Sequence, residues 1–140
     1  MINFEQLYRQ VIMDNYKNPA NKGLILSDDY LNIHLKNPSC GDDIKVSVKV
    51  VDNQVVDIRH DGVGCSICCS SASVASKVLR DKSKEEAIRL INLFLDMVKG
   101  EDVEVEDLDE AMAYKTVCQF PARIKCATLS WKAILEALEK

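Results

Sequence analysis

Leu31-Asn32-Ile33-His34-Leu35-Lys36-Asn37-Pro38-Ser39-Cys40-Gly41-Asp42-Asp43-Ile44-Lys45-Val46-Ser47-Val48-Lys49-Val50 reads as two alternating runs joined by a bend. Leu31, Ile33 and Leu35 alternate with Asn32, His34 and Lys36; Ile44, Val46, Val48 and Val50 alternate with Lys45, Ser47 and Lys49. Period-two patterning puts one apolar face on each strand. The short connection makes the pair antiparallel. Between them Pro38 is a poor strand continuer, and Gly41 tolerates backbone geometry that other residues avoid. The bend can therefore aim Cys40 and Asp42 at one spot. A thiol and a carboxylate aimed together point to a metal, zinc or an iron–sulfur species.

Working outward, Asp52-Asn53-Gln54 is a turn signal, after which Val56 and Ile58 alternate with Asp57 and Arg59 in a third strand. Gly62-Val63-Gly64 then leads into Cys65 and a helix rich in small residues from Ser70 to Ser76. Cys65 falls at or just before the helix start, where free amides and the dipole favour a thiolate. Ser83-Lys84-Glu85-Glu86 is a capping box opening a second helix, with Ala87, Leu90, Ile91, Phe94, Leu95 and Val98 on its apolar face and Gly100 as its stop. Glu101 to Glu110 is acidic and reads as a solvated connection, with a short helix at Leu108, Ala111 and Met112. Pro121 suits the first position of a last helix, whose stripe is Ile124, Ala127, Trp131, Ile134, Leu135 and Leu138. Before the sheet, Asn3 and Gln6 form a capping pattern for a first helix. Phe4, Leu7, Tyr8, Val11 and Ile12 are on its stripe, it ends near Asn18-Pro19, and core packing is preferred over partner docking. The expected fold class is α+β: a three-stranded antiparallel sheet packed against about five helices.

The 140 residues suit one domain, 1–140, with no repeat or linker. A net charge of −4 disfavours nucleic acid or an anionic membrane surface as the main partner. No apolar run reaches spanning length, and Met1 to Glu5 lacks a basic region followed by an apolar stretch, so a cytoplasmic location is expected. In a reducing compartment the six cysteines read as ligands or reactive thiols rather than as disulfides.

Two ligands rarely hold a metal, and Cys65 and Cys126 are the choices to complete the set with Cys40 and Asp42. Cys126 lies in the early turns of the last helix, off its apolar stripe, and so looks available for chemistry. Cys118, in the loop before Phe120-Pro121, is the alternative to it. Cys65 and Cys68 form a CxxC, but Cys68 aligns with Ala72, Ala75 and Leu79 and reads as a buried hydrophobe. Cys69 has no clear place. His34 and His60 read as hydrogen-bonded strand histidines. Three thiolates and one carboxylate close a tetrahedron around a dication, and the carboxylate suits a position that must open. Arg123, three residues before Cys126 on one helix face, is expected to hold the Asp42 carboxylate.

Three segments carry a family likeness: Asn37-Pro38-Ser39-Cys40-Gly41-Asp42, Gly64-Cys65-Ser66-Ile67-Cys68, and Phe120-Pro121-Ala122-Arg123-Ile124-Lys125-Cys126-Ala127. With them the chain resembles iron–sulfur cluster assembly proteins of the IscU/NifU N-terminal type, and within these the SufU branch. The resemblance maps a metal site onto Cys40, Asp42, Cys65 and Cys126. Lys125 stands where the scaffold branch has a histidine, a Leu-Pro-Pro-Val-Lys segment is missing, and Lys99 to Lys115 looks like the SufU insertion. The resemblance thus implies a zinc-bound sulfur acceptor serving a pyridoxal-phosphate cysteine desulfurase, with Cys40 as acceptor and Asp42 tuning how the site opens. It also implies downstream cluster-assembly proteins as further partners. Three rivals stand beside it: a scaffold building a transient [2Fe–2S] cluster on the same residues, a structural-zinc module, and a Cys65/Cys68 dithiol oxidoreductase.

Overall fold

A computed structural model describes residues 4–140. Element order is α1 (Phe4–Lys17), β1 (Leu31–Asn37), β2 (Asp42–Val51), β3 (Gln54–Val63), α2 (Ser66–Val78), α3 (Lys84–Val98), a 3-10 segment (Glu106–Gln119) and α4 (Pro121–Leu138). The sheet is an antiparallel meander in the order β1-β2-β3, as the alternation predicts. Its two turns follow from backbone chemistry. Gly41, at φ +74°, closes the first hairpin, and Asp52 and Asn53, both at positive φ, make the two-residue turn of the second. Ile44, Val46 and Val48 enter the core from β2.

The alternation slips in one place. A bulge between Lys49 and Val50 pairs Val50 with Val55, so Val55 is fully buried and Val56 only partly. The expectation that Val56 and Ile58 share the dry face is therefore corrected; an extra residue in one strand flips the parity beyond it. The opposite face is not bare. Asp57 is buried there, accepting from Tyr30 Oη at 2.6 Å and paired with Arg59 and Arg80, and this ties the 24–30 loop to the sheet.

Helix α4 lies against β1 and β2 and also touches α2 and α3. Its burial is correspondingly broader than one stripe: every residue from Cys126 to Trp131 is buried. Trp131 stacks on Phe94 with centroids 4.0 Å apart, and its indole N–H donates to Ser71 Oγ at 2.9 Å. Helix α2 is buried on all sides because its side chains are small. Its hydroxyls find partners, Ser70 with Tyr114 Oη, Ser71 with the Ala127 carbonyl and Ser73 with Asn15. In α1 the most buried described side chain is this polar Asn15, while Leu7 is 50% exposed. The helix packs on α2 through a hydrogen bond as well as an apolar stripe. The expected Asn3 cap lies outside the described residues.

Ser83 Oγ accepts from the Glu86 amide at 3.1 Å, as the capping box predicts. The Glu86 carboxylate turns instead to Arg89. Gly100, at φ +95°, follows the end of α3. The acidic stretch is exposed only in part, since Leu108 is fully buried, and the short helix expected there runs on in 3-10 form to Gln119 across a kink at Asp109.

Candidate metal centre

Three chain segments meet at the turn end of the β1–β2 hairpin. Asn37 ends β1 and Asp42 begins β2, and they pair across the strands. Cys40 stands exposed on the turn between them, where its amide donates to the Asn37 carbonyl at 3.2 Å. β3 returns alongside β2 and hands the chain through Gly64 to Cys65, which is the N-cap of α2 with φ −71° and ψ 169°. Pro121 starts α4 just above, so Cys126 falls in its second turn and faces the hairpin end. The Cys40 and Cys126 thiols share one acceptor, the Ala122 carbonyl, at 3.9 and 3.8 Å.

The metal-binding atoms of Cys40, Asp42 and Cys126 all lie within 4.8 Å of one another. Sulfurs in a zinc tetrahedron with Zn–S of ~2.3 Å are about 3.8 Å apart, so these three need shift by only about 1 Å. Cys65 stands outside that tight group but at its rim. Its amide donates to Asp42 Oδ1 at 3.1 Å, and its thiol is among the contacts of Cys126.

Asp42 is 2% exposed and, among the described residues, has no cationic side chain paired with it. It receives only neutral donors, the Cys65 amide and Asn37 Nδ2 at 3.3 Å. A buried carboxylate without a countercharge is costly, and beside three thiols it calls for a metal cation. Burial first, then contacts with Asp42, Cys40 and Cys65, push the Cys126 thiol well above the usual range. A dication reverses that sign by replacing the protons. The donor set is soft sulfur with one oxygen, and it fits zinc or iron better than calcium or magnesium.

Cys126 is off the apolar stripe yet wholly buried, because α4 is covered on several sides; its availability is to an ion and not to solvent. Cys118 stands against Gly100 and lines a recess with Met97 and Lys115, on a segment that does not join the thiol group. Cys68 is buried in the core, as its helical alignment predicts, and burial raises its thiol strongly. Cys69, unplaced by sequence, is half-buried and donates to the Gly64 carbonyl. His34 pairs with Asp43 at 2.6 Å and His60 with the Ala20 carbonyl at 2.7 Å, both as strand histidines. Arg123 makes no hydrogen bond or ion pair with Asp42. It lines a cavity of about 410 Å³ with Ile12, Ser66, Val117 and Phe120. The donors that reach Asp42 among the described residues are Asn37 Nδ2 and the Cys65 amide, and the exposed Arg123 is not one of them.

Two residues at the site had no assigned role in the sequence. Asn37 is buried, donates to Asp42 and lies 3.9 Å from Cys126 Sγ. Gly64 passes so close to Asp42 that a Cβ there would stand 2.5 Å from Oδ1. The signals were the placement of Asn37 at the strand end before the bend and the glycine immediately preceding Cys65.

A three-stranded meander under a central C-terminal helix, with thiols and a buried carboxylate gathered at the hairpin end, defines a small α+β domain with a candidate metal site. The chain belongs to the family described as NifU-like N terminal domain, whose profile matches residues 7–127. It is 43% identical over 139 residues to the zinc-dependent sulfurtransferase SufU of Bacillus subtilis, covering 99% of this chain and 93% of that one. It is 38% identical to the iron–sulfur cluster assembly scaffold protein IscU of Streptococcus pyogenes, over 96% and 84% of the two chains. In structure it is similar to a Fervidobacterium islandicum SufU proposed as an assembly scaffold of the SUF system, with TM-score 0.85, 28% identity, and 96% and 98% coverage. No helix among the described residues is long and apolar enough to cross a membrane.

Proposed function

We propose that this protein is a sulfur-transfer component of iron–sulfur cluster biogenesis in the cytoplasm. Cys40, Asp42, Cys65 and Cys126 would hold zinc, and Cys40 would accept sulfur from the persulfide of a pyridoxal-phosphate cysteine desulfurase. The observation that carries the reading is the gradient of exposure across the thiols: Cys40 exposed, Cys65 half-buried, Cys126 buried. A partner reaches the first most directly. The bound metal would keep the thiols deprotonated at neutral pH.

The chain's own residues set the course of the transfer. Cys40 is on a turn freed by Gly41, so it can swing out while Cys65, at a helix cap, and Cys126, inside α4, stay fixed. The Cys40 thiolate attacks the outer sulfur of the donor persulfide. A Cys40 S–S bond forms, the donor S–S bond breaks, and the electron pair leaves on the donor cysteine as thiolate, with no net oxidation. Asp42, held by Asn37 and the Cys65 amide, would supply the one oxygen ligand, and a site with it would open more easily than an all-thiolate one.

Incubation with a desulfurase, labelled cysteine and no reductant tests this. The label is expected on Cys40, and a Cys40→Ala protein that takes up label like wild type refutes the assignment. The second reading, a scaffold assembling a [2Fe–2S] cluster on these residues, is favoured by the similarity to the Streptococcus scaffold protein. Anaerobic iron and sulfide separate the two: a stable visible chromophore supports the scaffold, and a colourless zinc-retaining protein supports sulfur transfer.

A further inference from the structure

The Cys40 turn has a second flank, away from Arg123 and Phe120. A groove of about 280 Å³ runs between the hairpin end and α4, lined by Lys36 and Ser39 on one side and Lys125, Thr128, Leu129 and Lys132 on the other. Among the described residues no carboxylate lines it. Lys36, Lys125 and Lys132 are exposed, and none is in an ion pair among the described residues. This happens in a chain of net charge −4. The positive end of α4 lies one turn from Lys125 and adds to the local potential.

The spacing selects the ligand. Lys125 and Lys132 are two helical turns apart, about 10 Å along the axis. A lone phosphate or carboxylate ion is too small to meet both ammonium groups and Lys36 as well. A polypeptide in polyproline II form advances about 3.1 Å per residue with about three residues per turn, so acidic side chains three apart fall on one face about 9 Å apart and match the interval. We propose that this groove docks an acidic segment of a partner protein, laid along α4 with one end at Ser39 beside the Cys40 thiol. Exposed lysines of this kind speed encounter and orient the partner more than they tighten the complex, and salt weakens them. Docking needs neither metal nor sulfur transfer, so its test is independent of the function proposed above.

The probe is a fluorescein-labelled peptide of repeating Glu-Gly-Ser, read by anisotropy against the full chain at low salt. A Gln-Gly-Ser peptide serves as its neutral twin. The acidic peptide is expected to bind and the neutral one not. The triple variant Lys36→Gln, Lys125→Gln, Lys132→Gln is expected to bind at least about tenfold more weakly, from about 0.5 kcal/mol for each exposed charge. A control triple at Lys45, Lys82 and Lys84 should stay within about twofold, with wild-type melting for both proteins. Equal loss in the two triples, no binding by wild type, or equal binding of both peptides overturns the proposal. Displacement of the peptide by equimolar inorganic phosphate does so too, by marking a small-ion site. So does self-association of the wild type that the groove triple abolishes, which would make a second copy the occupant.

Discussion

Gly64→Ala tests the architecture of the metal centre with one methyl group. Gly64 is not at positive φ, so alanine strains no backbone there. The new Cβ would instead stand 2.5 Å from Asp42 Oδ1 and 3.2 Å from its Cγ, closer than carbon and oxygen can approach. Asp42 is pinned by Asn37 behind and cannot retreat without lengthening its bond from the Cys65 amide, now 3.1 Å. Hydrogen bonds to a charged group contribute roughly 1.5–3 kcal/mol. At 1.4 kcal/mol per decade, their loss predicts zinc affinity lower by about 10- to 100-fold, the range expected when a ligand loses its outer support. Competition against a chromophoric zinc chelator measures this. The metal-free protein should melt somewhat lower as well, because the same Asn37 and Cys65 hydrogen bonds hold the buried carboxylate without a metal. Unchanged zinc affinity, or a large loss of apo stability with affinity intact, would refute the reasoning. Gly62→Ala is the contrast: at φ +144° its Cβ would run into the Asp43 carbonyl, so it should cost folding itself.

Arg123→Ala should leave zinc affinity within about twofold, since Arg123 has no contact with Asp42, while Asn37→Ala should lower it about tenfold or more. Cys118→Ser should keep full metal stoichiometry in elemental analysis, whereas Cys126→Ser should lose it. Trp131→Ala removes a buried stacked ring and should destabilise by about 3–5 kcal/mol in chemical denaturation. Burial raises Cys68 and Cys126 in the metal-free fold. Unfolded thiols ionise near ~8.5, so above that pH the unfolded chain binds fewer protons and apo stability should fall as pH rises, having been constant below it. Zinc binding displaces protons, so retention of the metal should fail in the other direction, as pH is lowered. Melting curves of both forms across pH read the two opposite slopes.

Three strands, the bend at Cys40, the cap at Ser83 and the proline start of α4 were legible in the sequence because each is a local rule. Alternation, turn residues and capping groups act over a few positions, and the structure obeys them. Candidate ligands could be nominated for a related reason: Cys40 stands on a turn, Cys65 at a helix cap and Cys126 in the second turn of a helix, where a side chain can be aimed. What crossed between elements was not legible. A one-residue bulge moved Val55 into the core in place of Val56. Helix periodicity marked one apolar stripe on α4, but only packing against the sheet and two helices shows Cys126 to be buried. The choice of Asn37 and the Cys65 amide over Arg123 as the supports of Asp42 was likewise made in three dimensions. It depends on where β1, α2 and α4 converge, and side-chain chemistry along a single segment carries no record of that distance.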